Sequence, residues 1–262
     1  MLKIATWNVN SLKARKDRLL AFLKRHEPDV LCLQELKLDT AAFPLAEVAD
    51  AGYQALVHGQ KTYNGVAILA RVPLEQPRIG WGVDIGDAED SQARLVSAVV
   101  HGIRVLSVYV PNGSEPSSDK YQYKLRWLQH LVHELERHHS AKEPLILCGD
   151  LNIAPDDSDV ARPDEWRETV LCGTEVRSAF QQLIGWGLHD VFRQHHPDGG
   201  VFSWWDYRQL SFPKGNGLRI DHLLATTPLA RTSQDARIDR DERKGKLPSD
   251  HAPVLADFAW PP

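Results

Sequence analysis

The chain has 262 residues and a formal net charge of −4 at pH 7. Apolar residues make up 42% of it and charged residues 25%, values of a globular protein with a full-sized core, which exclude a disordered or fibrous chain. No apolar run approaches the about 18 residues of a membrane span, and Leu2 to Asn8 has no leader character. We therefore expect a cytoplasmic protein with no membrane partner.

The first half of the chain alternates helix-like and strand-like patterns. Lys13 to His26 has apolar residues at helical spacing. Val66 to Ala70, Arg94 to Val100 and Ile103 to Val110 have the composition of strands, and His101-Gly102 predicts a hairpin between the last two. A hairpin means antiparallel pairing. The predicted fold is therefore α/β, with two mixed sheets packed face to face and helices outside, and not a parallel doubly wound sheet.

The second half continues this alternation. Asp119 is a candidate cap for a helix whose buried stripe includes Leu128 and Leu135. Pro155 to Gly173 is polar, with two prolines and no clear period, which predicts a loop insertion with short helical turns. Because the sequence has no linker, repeat or low-complexity tract, residues 1–262 are expected to form a single domain.

The cysteines indicate a reducing environment. Cys32, Cys148 and Cys172 form an odd set without Cys-x-x-Cys spacing, and two of them lie inside apolar runs. Buried reduced thiols are therefore expected, and disulfides are not.

Acidic residues follow the apolar runs at several places. Glu35, Asp150 and Asp221 each come within two residues of the end of a run typical of a buried strand, and Asp250 precedes His251 just before the last apolar stretch. Strand ends are where a fold can bring several acids to one point. A helix cap or a turn explains any one of these acids alone, but it is a poor explanation of the whole set.

Converging acids repel one another. Two carboxylates about 4 Å apart cost roughly 4 kcal/mol at an effective dielectric near 20, so they require a cation, a shared proton or greater separation. A bound metal is the simplest solution. The candidate ligands offer oxygen, which suits Mg²⁺ or Mn²⁺ better than Zn²⁺; they are Asn8, Glu35, Asp150, Asn152 and Asp250.

Basic residues cluster near these acids. The net charge argues only weakly against a nucleic-acid partner, because charges beyond a Debye length of about 8 Å are largely screened. A phosphate-binding rim is one interpretation of these clusters, and a solvated helix face explains the first of them, Lys13 to Arg18, equally well. The residues concerned are Lys13, Arg15, Lys16, Arg18, Lys120, Lys124, Arg208, Lys214 and Arg219.

Three other motifs are excluded. His133-Glu134 lacks the second histidine of a zinc-protease helix, since His138 comes one residue late. Gly80-Trp81-Gly82 has Ile85 where a dinucleotide loop needs its third glycine, with Gly86 one residue late. The G-x-S-x-G spacing of serine hydrolases does not occur.

Eight ordered blocks resemble the exonuclease III family of apurinic/apyrimidinic (AP) endonucleases, within the endonuclease/exonuclease/phosphatase superfamily. The resemblance runs from Lys3 to about Phe258. The blocks are Trp7 to Leu12, Leu33 to Glu35, Gly59 to Ala67, Tyr109 to Gly113, Gly149 to Ile153, Phe202 to Arg208, Gly217 to Asp221 and Ser249 to Pro253. The family implies a four-layered α/β sandwich with its active site at one end.

The resemblance also implies the roles of individual residues. Asp150 would orient or deprotonate the attacking water, and Asn152 would help to fix Asp150 and the phosphate. Tyr109 would donate to a phosphate oxygen or the leaving group. His251 would contact the scissile phosphate while Asp221 holds its other ring nitrogen. The resemblance also implies a divalent metal ion, Mg²⁺ with Mn²⁺ as a substitute. The residues assigned to the metal site are Asn8, Glu35, Asp150, Asn152, Asp250 and His251.

The substrate implied is double-stranded DNA with an abasic site or a blocked 3′ end. An apolar pocket would admit a sugar that lacks its base and exclude a normal nucleotide. The binding residues expected there are Asn112, Trp204, Leu218 and Ile220. One tryptophan of the Trp204-Trp205 pair is expected to be core. The position of Leu218 can carry a larger aromatic residue elsewhere in the family, which leaves the balance of activities open.

The hypothesis is a metal-dependent nuclease that cleaves 5′ to abasic sites, with possible 3′-5′ exonuclease and 3′-phosphodiesterase activity, acting as a monomer. The alternative is an enzyme that mainly processes 3′ ends and has weak AP endonuclease activity. A DNA-binding module with a dead site and a hydrolase of phospholipid or inositol phosphates are less favoured. The full set of acids argues against the first, and the Trp204 block against the second.

Overall fold

The computed structural model describes residues 1–82 and 91–261. Within these ranges the strands form two six-stranded sheets. The strands are β1 (Leu2–Asn8), β2 (Val30–Gln34), β3 (Gln54–His58), β4 (Val66–Ala70), β5 (Glu75–Ile79), β6 (Leu95–Val100), β7 (Ile103–Tyr109), β8 (Leu145–Asp150), β9 (Leu188–Asp190), β10 (Asp221–Thr226), β11 (Ser233–Ile238) and β12 (Val254–Phe258).

Both sheets are mixed and follow the same plan. The first has the order β11-β12-β1-β2-β4-β3 and the second the order β5-β6-β7-β8-β10-β9. In each sheet the central pair is parallel, β1 with β2 and β7 with β8, and the pairs that flank it are antiparallel. Parallel neighbours end at the same edge of a sheet, so each sheet brings two strand ends to one place.

The helices lie outside the sheets. They are α1 (Leu12–His26), α2 (Leu45–Asp50), α3 (Asp119–His138), α4 (Pro163–Trp166), α5 (Thr174–Trp186), α6 (Val191–His195) and α7 (Thr227–Ala230). Short 3₁₀ turns occur at Thr40–Ala42, Asp157–Asp159, Arg208–Leu210 and Arg240–Arg243.

Three apolar clusters divide the molecule into four layers. The middle cluster, with Ile4, Ile68 and Ile146, fills the space between the two sheets. A second cluster packs Phe22 of α1 against the first sheet. A third packs Trp127 of α3 and residues of α5 against the second sheet. The four-layered α/β sandwich is therefore confirmed.

Most of the predicted elements are present. β6 and β7 form the predicted hairpin through His101-Gly102, and Pro155 to Gly173 contains only a 3₁₀ turn and the short α4. The predicted cap of α3 is wrong by one residue. Ser118, in an extended conformation, accepts a hydrogen bond from the Tyr121 amide, and Asp119 is the first helical residue.

The remaining expectations have mixed outcomes. All three cysteines are free and buried, as predicted. Across the described stretches every helix is too short or too polar to span a bilayer. Ile85 and Gly86, used above to exclude a dinucleotide loop, lie outside the described residues. The single domain over residues 1–262 includes such positions and stays a prediction.

Candidate active site

The two sheets place functional side chains at one end of the sandwich. In the second sheet Tyr109, Asp150 and Asp221 are direct neighbours across β7, β8 and β10. In the first sheet Asn8 ends β1 beside the end of β2, and Glu35 follows that strand. The parallel central pairs thus bring residues far apart in the chain to a common edge.

A cavity of about 430 Å³ opens at this edge. Most of the residues singled out in the sequence line it, namely Glu35, Tyr109, Asn112, Asp150, Asn152, Trp204, Ile220, Asp250 and His251. Asn8 and Asp221 are not part of its lining but are buried and hydrogen-bonded to residues that are. Leu218 is fully buried in the third apolar cluster, so it supports the wall from behind and does not reach the cavity.

Asn8 joins the two sheets at the site. Its amide nitrogen donates to Glu35 Oε1 and to Asp150 Oδ2, both at 2.8 Å. The orientation of the amide is determined by the Asn10 backbone N–H, which donates to Asn8 Oδ1. The side-chain oxygen of Asn8 therefore faces the backbone of Asn10, and its nitrogen faces Glu35 and Asp150.

Glu35, Asp150 and His251 form a group that could hold a cation. One potential ligand atom from each lies within 4.8 Å of the others. Burial raises the pKa of Asp150 to about 7, and the negative charges of Asp221 and Glu35 add to this effect, although the charge of His251 opposes it. Because a nearby positive charge would relieve that cost, the carboxylates of Glu35 and Asp150 fit a divalent metal ion, with His251 able to act as a ligand only in its neutral form.

His251 is held by an acid on its far side. Its Nδ1 lies 2.9 Å from Asp221 Oδ2, and its Nε2 lies 3.7 Å from Asp150 Oδ2. Burial works against the charged ring, but the carboxylates of Asp221 and Asp150 outweigh it and raise the pKa of His251 to about 10. The imidazolium form is therefore favoured at neutral pH. Its Nε2–H faces Asp150, and both residues line the cavity.

Asp250 occupies a different position from the other acids. Asn10 Nδ2 donates to its Oδ1 at 2.8 Å, and Trp204 Nε1 donates to its Oδ2 at 3.0 Å. Asp250 lines the cavity but lies outside the group of Glu35, Asp150 and His251. Its two hydrogen bonds tie the acid to the start of α1 and to the wall of the cavity.

Asn152 and Tyr109 flank Asp150. The Asn152 backbone N–H donates to Asp150 Oδ1 at 2.9 Å, and the side chain of Asn112 donates to Asn152 Oδ1 at 3.1 Å. Burial raises the pKa of the Tyr109 hydroxyl well above its usual value, and the charges of Glu35 and Asp150 raise it further. Tyr109 is therefore a protonated donor at neutral pH.

The wall of the cavity is apolar on one side. Trp204 meets Trp166 edge to face, with ring centroids 5.8 Å apart, and Ile220 lies beside them. Trp205 is 1% exposed and belongs to the core, so the prediction that one of the two tryptophans is core is confirmed.

Comparison with known proteins agrees with this geometry. The model of the Endonuclease/Exonuclease/phosphatase family matches residues 5–251. The chain is 36% identical to an exodeoxyribonuclease III from Haemophilus influenzae, over 98% of this chain and all of the relative. An AP endonuclease from Archaeoglobus fulgidus superposes with a TM-score of 0.94 at 38% identity, covering 99% of this chain and 100% of the other.

The chain belongs to the endonuclease/exonuclease/phosphatase family. Within it, the chain is a member of the exonuclease III-type AP endonucleases. A 3′ phosphatase from Neisseria, NExo, bound to a product DNA hairpin, also superposes with a TM-score of 0.94, at 41% identity and with 99% of this chain and 100% of the other covered. The sequence-based assignment to the family is therefore confirmed, and the enzyme is a hydrolytic nuclease.

Sequence reasoning missed several residues of the nuclease site. Ser203 Oγ donates to Asp221 Oδ2 at 2.6 Å and accepts the Asp221 backbone N–H. Lys37 Nζ joins Glu35 Oε2 at 2.8 Å to Asn10 Oδ1 at 2.6 Å. Their signal was their place within or beside the matched blocks, but a serine, a lysine and an amide are too common to be singled out without a partner in space.

The predicted basic rim is wrong at two positions. Lys124 is 0% exposed and Arg219 is 1% exposed, so neither can face solvent-borne phosphate. Lys16 and Arg18 form ion pairs with acids of neighbouring segments, while Arg208 is paired with Asp206 at the edge of the cavity. Sequence proximity to an acid does not reveal which face of an element carries a basic residue.

Proposed function

We propose that this nuclease hydrolyses the phosphodiester on the 5′ side of abasic sites in double-stranded DNA and leaves a 3′-hydroxyl. The observation that carries the proposal is the buried Asp221–His251 pair beside Asp150, inside a cavity that also presents Glu35. A positive ring and a group of acids around one cavity match what phosphodiester hydrolysis needs: an activated water, compensation for phosphate charge and help for the leaving oxygen.

The acids would hold Mg²⁺, for which Mn²⁺ would substitute. Glu35 and Asp250 are the proposed principal ligands. When bound, the ion would supply positive charge to the phosphate oxygens. The wider set assigned to its surroundings is Asn8, Glu35, Asp150, Asn152, Asp250 and His251.

The protein side chains would divide the remaining work. Asp150, whose pKa is raised by burial, would accept the proton of the attacking water. Asn152 would keep Asp150 oriented through its backbone N–H. His251 would donate Nε2–H to a phosphate oxygen while Asp221 fixes the tautomer at Nδ1. Tyr109 would donate its proton to a phosphate oxygen or to the leaving group.

The base-free sugar would lie against the apolar wall. Trp204 and Ile220 line the cavity, Leu218 supports them from behind, and Asn112 lies at the phosphate side through its bond to Asn152. A nucleotide that keeps its base would need more room and would have to be unstacked first. Selection by this pocket is therefore steric.

A second candidate, 3′-end processing with weak AP endonuclease activity, is favoured by the Pro155 to Gly173 insertion. Its Trp166 packs on Trp204, and its Glu168 lines the cavity. A continuous strand would have to bring further phosphates past this acid, whereas a strand that ends in the cavity would not. The insertion therefore favours substrates that end near the cavity.

Matched duplexes separate the two candidates. One carries an internal abasic site, the other a nick with a 3′-phosphate, and each is cleaved under single-turnover conditions with Mg²⁺. Faster cleavage of the abasic duplex supports the first candidate, and preference for the 3′-phosphate supports the second. Cleavage of neither by the wild-type protein, or unchanged rates in Asp150→Asn, would refute both.

The proposed partner is double-stranded DNA bound by a monomer. A monomer suffices for this chemistry, because every residue to which the proposal gives a role belongs to the same chain. The three buried free thiols support a cytoplasmic location. Analytical ultracentrifugation of the protein with and without a duplex tests the monomer, which a stable dimer would exclude.

A further inference from the structure

Lys124 is a fully buried charged residue that the roles above leave unused. It lies in the first half of α3 and is 0% exposed. Its surroundings include Tyr121 and Val170, and the chain turns closely past it at Gly113, where an added Cβ would lie 3.2 Å from Lys124 Cδ. The aliphatic stem is thus enclosed, and the ammonium lies at the inner end.

The ammonium group meets three backbone carbonyls. Lys124 Nζ donates to Asn112 O at 3.2 Å, to Asn152 O at 2.6 Å and to Val170 O at 2.6 Å. An ammonium has three N–H donors, so these acceptors satisfy all of them.

The three carbonyls belong to separate segments that all line the catalytic cavity. Asn112 follows β7, Asn152 follows β8, and Val170 lies in the insertion between α4 and α5. On the cavity side, Asn112 and Asn152 are joined by their side chains. Lys124 joins the same two segments from behind and adds the insertion to them.

Stability alone does not account for a charge at this position. Burial lowers the pKa of Lys124 to about 7, although the negative charge of Asp150 opposes the change, so the surroundings penalise the ammonium. Replacing a buried charge by an apolar side chain of similar volume is often neutral or stabilising. By hydrogen-bonding to all three carbonyls, the ammonium fixes the distances between the segments of Asn112, Asn152 and Val170. An apolar side chain cannot do this.

The position of Asn152 depends on such a restraint. Its backbone has φ +51°, a left-handed conformation that is unusual outside glycine, and its N–H in this conformation donates to Asp150 Oδ1. The next atoms of the same residue, its carbonyl group, are held by Lys124. A displacement of this carbonyl that carries the Asn152 Cα with it would also move the N–H relative to Asp150.

We infer that Lys124 is a positioning residue for hydrolysis: by binding three carbonyls at once, it holds Asn152 against Asp150 and keeps the Val170 wall in place. The inference rests on the proposed function only for its substrate. Phosphates of the duplex bind outside this buried site, so the restraint acts on turnover more than on DNA affinity.

Lys124→Met tests the inference because the methionine side chain is nearly as long as that of lysine but has none of the N–H donors of the ammonium. We expect a kcat on the preferred duplex at least 30-fold below wild type, a KM within about twofold and a thermal midpoint no lower than that of the wild type by more than a few degrees. Lys142→Met is the matched control. It replaces an exposed lysine that precedes the start of β8, at the end of the strand opposite Asp150, and should leave kcat unchanged.

Chemical rescue distinguishes positioning from a general packing defect. Lys124→Ala removes three methylenes and the ammonium. The cavity that this leaves has the shape of n-propylammonium. Added n-propylammonium should restore kcat at least fivefold, and tetramethylammonium, which has no N–H, should not.

Four outcomes overturn the inference: wild-type kcat in Lys124→Met, a KM increase that accounts for the whole loss, failure of Lys124→Met to fold, or no rescue of Lys124→Ala. If wild-type protein cleaves neither duplex, the proposed function fails instead. Wild-type cleavage with an unaffected Lys124→Met rejects the inference alone.

Discussion

Two buried groups of charged residues differ in how their charges balance. The Arg219 network consists of Asp159, Asp190, Arg193 and Arg219, two acids with two bases. Arg219 Nε lies 2.6 Å from Asp159 Oδ1, its other arm lies 2.8 Å from Asp190 Oδ2, and Arg193 also contacts Asp159. Burial alone would raise the pKa of Asp190, but the charges of Arg219 and His222, together with the hydrogen bonds from Arg219 and the Arg193 backbone, outweigh it and lower that pKa.

The acidic group at the cavity is not balanced in this way. It contains Glu35, Asp150, Asp221 and Asp250, and among the described residues the close ion pairs of these four acids involve only His251 and Lys37. Asp221 Oδ1 is buried, and none of the residues in the described ranges forms a hydrogen bond with it. The comparison teaches that burial by itself does not mark a functional site. Acids whose charge the protein leaves uncompensated mark it, since they require a ligand from outside.

Asp150→Asn gives the largest expected effect and tests the unbalanced group. The single-turnover rate should fall by about 10³ to 10⁴-fold, about 4 to 5.5 kcal/mol, because an amide cannot accept the proton of the water. The free energy of unfolding should change by less than about 2 kcal/mol: asparagine still accepts from Asn152 and relieves repulsion from Glu35 and Asp221, but it loses the hydrogen bond from Asn8. Quenched-flow cleavage and urea denaturation measure the two. A large stability loss with retained activity would reverse the comparison.

Arg219→Met tests the balanced group and should affect stability. Asp159 and Asp190 would keep their charges without this partner, which costs about 3 to 5 kcal/mol of unfolding free energy. Urea denaturation at neutral pH measures the loss. The triple variant Arg219→Met, Asp159→Asn, Asp190→Asn is the control and should regain part of it. A stable Arg219→Met protein that has lost activity would place the network in the catalytic machinery instead.

Glu35→Ala should raise the Mg²⁺ concentration for half-maximal activity at least tenfold, about 1.4 kcal/mol, and leave duplex affinity nearly unchanged. The reason is that the remaining acids compensate only partly for a lost ligand. Magnesium titration of the cleavage rate and fluorescence anisotropy of a labelled duplex provide the measurements. Glu143→Ala, an exposed acid before β8, is the control. An unchanged Mg²⁺ requirement would remove Glu35 from the proposed ligands.

The pH dependence of stability gives the smallest effect. The folded pKa of Asp190 lies below its unfolded value of about 3.9, so its contribution is present above that pH and is lost as pH falls toward the folded pKa. Between pH 5 and 3 the wild type should therefore lose about 1 kcal/mol more than Asp190→Asn. Urea denaturation across this range provides the test. Parallel curves for the two proteins would show that Asp190 is not held by Arg219.

Much of the site could be predicted because its residues follow recognisable strands. Glu35 and Asp150 lie within two residues of the apolar runs that form β2 and β8. The run Leu218 to Ile220 predicts a strand that ends at Asp221, and this is wrong: Asp221 is the first residue of β10, which runs antiparallel to β8 and so brings it to the same end of the sandwich. The insertion and the hairpin were also readable from composition. Partners across space could not be predicted in this way. Ser203 and Lys37 touch acids that lie elsewhere in the chain, and no local pattern marks such a pairing.

The basic residues show the limit most clearly. Lys124 and Arg219 were interpreted as part of a phosphate rim, yet both are buried, one against carbonyls and the other against acids. The local sequence around a helical lysine does not show whether its side chain is buried in the wall of a cavity or exposed to solvent. Which of these occurs depends on where β7, β8 and the insertion pass.

The sequence by itself determined the family, the α/β sandwich and the chemical type of the site, because buried strands and the acids at their ends are properties of short segments. The tertiary structure alone decided which charges are compensated. That Asp190 is paired with Arg219 while Asp221 keeps an oxygen without a partner among the described residues follows from contacts between distant segments, since electrostatic energy depends on distances in space and on burial.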